Sequence, residues 1–384
     1  MRTVRFGVIG CGLMGREFGS ASARWCHFTG MDVKPVITAV SDINPKAMEW
    51  FQSHMPALQQ ASPDYSDVLA NPMVEAVYIA VPHNLHERMY RDAISAGKHL
   101  MGEKPFGIDK PANARILACM RDHPDVVARC CSEFPFFPAM QQFCGMIESG
   151  VFGRIIEVNA GFLHSSDLNT EKPINWKRRV ETNGEYGVMG DLGMHVCHVP
   201  FRAGWFPRNV RAVLSNIVAE RPDGQGGRIP CDTWDNATLL CEAADSQTGD
   251  TFPMTLKMQR IAPGEMNTWH LEVKGMKACA RFTTRNPQVL ETLDYQAGKQ
   301  DWKQVMTGYT PVFSTITGPI FEFGFPDGIL QMWAAYLHEL VHGAAIRKFT
   351  GTVTPAESAM SHELFTSALE SQRTGATVPV GVAA

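Results

Sequence analysis

The sequence predicts an α/β chain of two domains: an N-terminal doubly wound parallel sheet over residues 1–131, and a C-terminal α+β domain over 132–384 built on a large, mostly antiparallel open sheet. Three observations carry that expectation. At 384 residues the chain exceeds the size at which a single hydrophobic core stops growing. In its first third, short β-branched apolar runs alternate with helix-like segments, the pattern of right-handed βαβ units. From about residue 210 to 315, strand-like runs instead follow one another with only polar turns between them, as in an antiparallel sheet.

Composition narrows the partners. With 45% hydrophobic and 19% charged residues the chain has ample material for packed cores. A formal net charge of −4 offers no electrostatic reason for a nucleic-acid or anionic-membrane partner, and a small neutral or weakly polar ligand fits better. The ten cysteines are scattered without a CxxC pair, as buried thiols of a reducing compartment are. The adjacent Cys130 and Cys131 suit opposite faces of a strand. The opening "RTVRFGVIGCGLMG" lacks the features of a signal peptide, and no apolar run approaches the roughly 18 residues of a membrane span. A cytoplasmic protein is expected.

The first strand is "VRFGVIG" at 4–10, followed by the helix start "CGLMGREFGSASARW". Gly10, Gly12 and Gly15 form G-x-G-x-x-G across this strand-to-helix turn, the Rossmann dinucleotide motif, with Leu13 and Met14 inside it. The first glycine permits the tight turn, the second lets backbone approach a pyrophosphate, and the third lets helix pack close to strand. The phosphates then rest on the helix N-terminus. A second run, "PVITAVSD" at 35–42, ends in Asp42. An acid there hydrogen-bonds the adenosine ribose and repels a 2′-phosphate, which favours NAD over NADP; the same residue also suits the N-cap of the helix containing Pro45. A third run, "VEAVYIAVP" at 74–82, leads to a helix from about His86 to Ala96 stopped by Gly97, and "KHLMGEKP" reads as a further strand. Ligands of such sheets sit at the carboxyl ends of the strands, where Asp42, Pro82, His83, His86, Glu103 and Lys104 all fall.

"DVVARCCSEF" at 125–134 reads as the last strand of this domain, followed by an amphipathic helix, a glycine turn at Ser149-Gly150 and a strand at 154–162. Six strand-like runs follow, from "NVRAVLSNIVAE" to "QVLETLDYQ", predicting a sheet with helices on one face and the other face free. "PDGQGGRIPCDTWD" at 222–235 is polar and glycine-rich and is expected to be a loop. "GILQMWAAYLHELVHGAAIRK" and "TPAESAMSHELFTSALESQRTG" read as helices.

One stretch concentrates chemistry. "GDLGMHVCHVP" holds Asp191, His195 and His198, spaced four and then three residues apart, which on an α-helix puts them on one face. Such a stripe could hold a metal, move protons or line a polar seam. No other segment offers matching ligand spacing, so no metal is expected. Arg178 and Arg179, beside Trp176, either meet an anionic substituent or are surface charge, with surface favoured.

Taken together, "GVIGCGLMG", "VEAVYIAVPHNLHERMYRDAISAGKHLMGEKPFG" and "GDLGMH" resemble the Gfo/Idh/MocA oxidoreductases, named for glucose-fructose oxidoreductase, inositol dehydrogenase and a rhizopine-catabolism protein. The resemblance implies that Lys104 of the E-K-P segment lies beside the nicotinamide of NAD and that the D-x-G-x-H unit supplies Asp191 and His195 to the pocket. Lys104, Trp176, Asp191 and His195 then bind substrate. It further implies an enzyme that oxidises a secondary hydroxyl of a sugar, cyclic polyol or sugar derivative, and a homo-oligomer formed through the open sheet face. An imidazole of ordinary pKa, about 6.5, suits His195 as general base. Lys104 would hydrogen-bond the same oxygen, and Asp191 would orient substrate hydroxyls or hold the imidazole. Some relatives are instead NAD-dependent glycoside hydrolases that oxidise a ring hydroxyl transiently and eliminate the aglycone, and the same residues serve that reaction. A non-catalytic NAD-binding protein fits poorly with intact Lys104, Asp191 and His195. Two departures stand out: Phe136 and Phe137 precede Pro138 where the family often has an arginine or tyrosine, making that wall apolar, and His198 stands where a second acid is common.

Overall fold

The computed structural model describes residues 1–297 and 299–381; Gly298 and residues 382–384, which fall within the second predicted domain, lie outside the described residues. Strand β1 (Arg2–Ile9) places Val4, Phe6, Val8 and Ile9 in the core at 2% exposure or less, which explains its apolar, β-branched composition. It is followed by α1 (Leu13–Ala23), β2 (Val33–Ser41), α2 (Pro45–His54), β3 (Gln60–Ser62), α3 (Tyr65–Ala70), β4 (Ala76–Ile79), α4 (His86–Ser95), β5 (His99–Gly102), α5 (Lys110–Asp122) and β6 (Ala128–Cys130). The six strands form one parallel sheet in the order β3-β2-β1-β4-β5-β6. Its order reverses at β1, and there the backbone continues the ladder past the strand ends: Gly10 N–H donates to Ser41 O (2.8 Å) and Ala80 N–H to Ile9 O (2.8 Å). This is the switch point at which such sheets bind ligands.

The second half begins with α6 (Pro138–Glu148) and β7 (Ile155–His164), and α7 (Val180–Asn183) and α8 (Met194–Ala203) precede β8 (Trp205–Ser215). Within 222–235 the structure corrects the expected loop. β9 (Glu220–Pro222) and β10 (Arg228–Pro230) pair as a small antiparallel hairpin whose turn holds the glycines, and the polar flanks pair with each other through Arg228 and Glu220 (2.8 Å). Then come β11 (Asn236–Asp245), β12 (Thr251–Gln259), β13 (Asn267–Gly275), β14 (Ala278–Thr283), β15 (Val289–Asp294) and β16 (Lys303–Met306). The last helices are α9 (Phe325–His342) and α10 (Pro355–Thr374), followed by β17 (Val378–Pro379). The large sheet runs β16-β15-β14-β13-β7-β12-β11-β8-β17, antiparallel except where β7 meets β12. Alternation is strict in β12: Phe252, Met254, Leu256 and Met258 point inward, and the residues between them are half-buried or exposed.

The chain folds into two compact units, and the division is not one cut after residue 131. The first takes Met1–Gly107, Pro111–Phe137 and Tyr309–Pro355; the second takes Ile108–Lys110, Pro138–Gly308 and the stretch from Ala356. The cause is the aromatic face of α9. Trp333 stacks on Phe18 of α1 with centroids 3.7 Å apart and meets Phe6 and Tyr78 edge-on, so this late helix completes the core of the first unit.

Candidate active site

In the first unit the nucleotide turn is built by glycine. Gly10 has φ +96°, and a Cβ there would lie 2.2 Å from the Ala80 carbonyl oxygen; at Gly15 it would lie 2.2 Å from the Gly10 oxygen. Both positions therefore exclude side chains. At Gly12 nothing lies within 4 Å of the same point, so the N-terminus of α1 faces open space, with Leu13 66% exposed beside it and Met14 half-buried. That cradle of amide donors fits the pyrophosphate of NAD. Asp42 Oδ2 accepts from Cys11 N–H and Oδ1 from Asn44 N–H, both at 2.8 Å, and each oxygen keeps a lone pair for a ribose hydroxyl. The cap of α2 is Asn44, whose side chain accepts from Lys46 N–H at 3.2 Å, which corrects the alternative role considered for Asp42. Burial and the neighbouring Asp42 push the Cys11 thiol up to about 12, so it sits in the motif as a neutral group.

His86 does different work from that expected. His86 is fully buried, its Nδ1 lies 2.7 Å from Pro105 O and its Nε2 2.9 Å from Val81 O. With both nitrogens on backbone carbonyls, it ties the turn after β4 to the E-K-P segment and has no edge left for a ligand. His83 is buried as well, and Pro82 is half-buried. Glu103 is held from two sides: Tyr78 donates to its carboxylate and Tyr90 to its carbonyl oxygen, both at 2.6 Å. Lys104, next to it, is partly exposed.

In the second unit the stripe is interrupted. Met189–Gly193 form a π-helical turn and α8 begins only at Met194, so the 3.6-residue spacing from Asp191 to His195 and His198 does not carry through. Asp191, fully buried, is gripped by cations: Lys177 Nζ lies 2.9 Å from Oδ1 and 3.1 Å from Oδ2, and Arg260 Nη1 donates to Oδ2. Arg260 also donates from Nε to Asp167 (2.9 Å) and from Nη2 to Ser166 (3.1 Å). Burial alone would raise the Asp167 carboxyl; Arg260 outweighs it and holds the group below its ordinary range. The Lys177 ammonium lies 5.5 Å from the ring centroid of the half-buried Trp176. His195 is 5% exposed, edge-on to Phe162 at 5.5 Å, and its carbonyl accepts from Trp269 Nε1 at 2.9 Å.

Arg178 is not surface charge. It is fully buried and Nη2 donates to Asn216 (2.8 Å), Val218 O (2.9 Å) and Asp235 (3.1 Å), so it braces the second unit, while Arg179 remains partly exposed beside Glu181. His198 is buried, and neither ring nitrogen has a hydrogen-bond partner among the described residues. Burial first, then Arg202, push it down to about 3, against the pull of Glu357. Since the unfolded imidazole protonates near 6.5, the folded state loses stability as pH falls from 6.5 toward 3, by about 1.4 kcal/mol per pH unit. His198→Leu is expected to flatten that acid limb, measured as denaturant midpoints across pH; an unchanged slope would assign the acid sensitivity elsewhere. Among the described residues no group of three His, Cys, Asp or Glu side chains is arranged to hold a metal.

A family model described as "Oxidoreductase family, NAD-binding Rossmann fold" matches residues 4–128. Residues 4–128 are thus the NAD-binding domain of a Gfo/Idh/MocA-type oxidoreductase. As a whole it is 24% identical to levoglucosan dehydrogenase of Pseudarthrobacter phenanthrenivorans over 353 residues, 88% of each chain. Its fold is similar to that of a levoglucosan dehydrogenase solved in complex with NADH and levoglucosan, with TM-score 0.85, 22% identity, and 99% of this chain and 100% of that one covered. It is also similar to that of an oxidoreductase domain protein from Kribbella flavida, with TM-score 0.89, 19% identity and the same coverage. The Rossmann domain at 4–128 therefore binds NAD.

Phe136 and Phe137, expected to make an apolar wall, form no open wall. Both are at most 3% exposed, and Phe137 meets Phe323 edge-on at 5.2 Å inside the first unit. Lys177, Arg260 and Asp167 were not among the predicted site residues. Arg260 was detectable, because it continues the inward series Met254, Leu256, Met258, and a charge at an inward position of a strand demands a buried partner. For Lys177 and Asp167 no local pattern exists.

Proposed function

We propose that the chain is an NAD-dependent dehydrogenase that oxidises a secondary hydroxyl of a sugar or cyclic polyol, with His195 taking the hydroxyl proton and Lys104 donating to the same oxygen. The observation that carries this reading is the likeness along nearly the whole chain to a levoglucosan dehydrogenase, joined to an intact D-x-G-x-H unit. NAD, when bound, supplies the hydride acceptor. The residues do the rest: the cradle at Gly10, Gly12 and Gly15 receives the diphosphate, Asp42 receives the ribose, and Trp176 gives a sugar ring an apolar face. Asp191 orients Lys177, whose ammonium meets substrate hydroxyls, and this differs from an acid that simply supports the histidine. The reading includes self-association of the chain through the open face of its large sheet and places the enzyme in the cytoplasm.

The test is a panel of sugars and cyclic polyols, levoglucosan and inositols among them, incubated with NAD, beside a panel of aryl glycosides. Net NADH formation on a sugar supports the reading. Aglycone release without net NADH overturns it in favour of glycoside hydrolysis. Asp42 makes a second expectation: NAD binds at least about tenfold more tightly than NADP, and Asp42→Ala narrows the gap, as the loss of one charge repulsion worth about 1.4 kcal/mol requires. Equal affinity of the unaltered enzyme for both cofactors in a fluorescence titration would remove Asp42 from the ribose.

A further inference from the structure

The carboxyl end of β5 and that of β6 leave the parallel sheet side by side, because Gly102 is in register with Cys130 and Cys131 N–H donates to Gly102 O at 3.1 Å. The residues that follow are Glu103 and Lys104 on one strand, Ser132 and Glu133 on the other. Two acids and one lysine thus emerge from adjacent strands, and both acids are buried, Glu103 at 8% exposure and Glu133 at 6%. Glu133 is further walled by α9, where a side chain on Gly328 would come within 3.8 Å of its Cβ. The site reading uses Lys104 and leaves Glu133 without a role.

We propose that Glu133 is a positioning residue of the Lys104 centre: its carboxyl group carries a proton in the resting enzyme, and release of that proton puts a second negative charge beside Lys104 and fixes it as an ammonium donor. The inference rests on the role given to Lys104 above. The charges facing Glu133 decide its behaviour. From β5 come the Glu103 carboxylate and the Lys104 ammonium; from β6 comes Cys131, which with Cys130 is driven upward by burial and remains a neutral thiol. Tyr78 of β4 and Tyr90 of α4, also driven upward by burial, stay neutral and spend their hydroxyls on Glu103. Burial first pushes Glu133 up, a backbone hydrogen bond pulls it down, and the Glu103 carboxylate adds to the rise, which leaves it at about 7 against the further pull of Lys104. Two carboxyl groups sharing one low-dielectric site resist double ionisation, and a neighbouring cation relieves that resistance. The step is a proton transfer to solvent with no other bond made or broken.

The experiment uses the NAD-loaded enzyme. Infrared difference spectra across pH in D₂O are expected to show a protonated carboxyl band that disappears near neutrality, and the band is expected to be missing in Glu133→Gln, which copies the protonated form. The rate at which an amine-directed acylating reagent labels Lys104, followed by peptide mass analysis, is expected to rise severalfold in Glu133→Gln at mildly alkaline pH, because the ammonium has lost an anionic neighbour. A carboxyl band that persists in Glu133→Gln, or Lys104 labelling that does not change, overturns the inference. If Glu133→Gln fails to fold, the pH titration of the band and of Lys104 labelling in the unaltered enzyme must share one midpoint, and separate midpoints overturn it. These readouts do not use turnover, so a failed assignment of Lys104 to the reaction, seen as full activity in Lys104→Met, is distinguishable from failure of the Glu133 inference.

Discussion

Replacing His195 by alanine is expected to lower turnover by about 10²- to 10⁴-fold, the contribution typical of a positioned general base. The side chain is the only part of His195 at issue, since its carbonyl, which accepts from Trp269, survives the substitution. The substitution removes the edge-on contact with Phe162, and circular dichroism together with the denaturant midpoint of the variant is expected to show that the fold is kept. NAD affinity is expected to stay the same, because the glycine turn and Asp42 belong to the other unit. Steady-state kinetics together with a cofactor titration check both parts. Undiminished turnover would take His195 out of the chemistry; lost cofactor binding would show that the substitution acts through structure.

The second large effect belongs to Asp191. Asp191→Ala is expected to destabilise the chain by about 3–5 kcal/mol, the range seen when one partner of a buried ion pair is removed. The magnitude follows from what remains. Arg260, 5% exposed, would keep Asp167 as its counter-ion but lose the second carboxylate that raises its own pKa against burial, and Lys177 would lose the group both of whose oxygens it contacts. Denaturant unfolding checks the loss. Asp191→Ala combined with Arg260→Met should recover part of the stability, since the uncompensated buried charge is gone; simple addition of the two single losses would refute coupling. A midpoint unmoved by Asp191→Ala would mean that water already compensates these cations.

Much of the fold was legible. The Rossmann half was readable because a fully buried parallel strand needs an unbroken apolar run and the turn after β1 needs glycine at Gly10 and Gly15, where a Cβ would strike backbone. The antiparallel half was readable from its period of two. The candidate site was legible in part. Lys104, Asp191 and His195 sit in motifs that survive as short strings, whereas Lys177, Arg260 and Asp167 lie 14, 69 and 24 residues from Asp191 and join its cluster only through folding.

The sequence by itself determined the principal strands of the parallel and antiparallel halves and the dinucleotide turn, because period, β-branching and glycine placement act over a few residues and are written locally; short elements such as the β9–β10 hairpin escaped it. Only the tertiary structure decided that α9 belongs to the first unit, that His86 and Arg178 are internal braces, that a π turn separates Asp191 from the histidines, and that Glu133 stands beside Glu103 and Lys104. Each of these depends on which distant groups share a low-dielectric interior, where a buried charge or imidazole must find its partners. Such pairings are set by the register of strands and the packing of helices, and no local spacing encodes them.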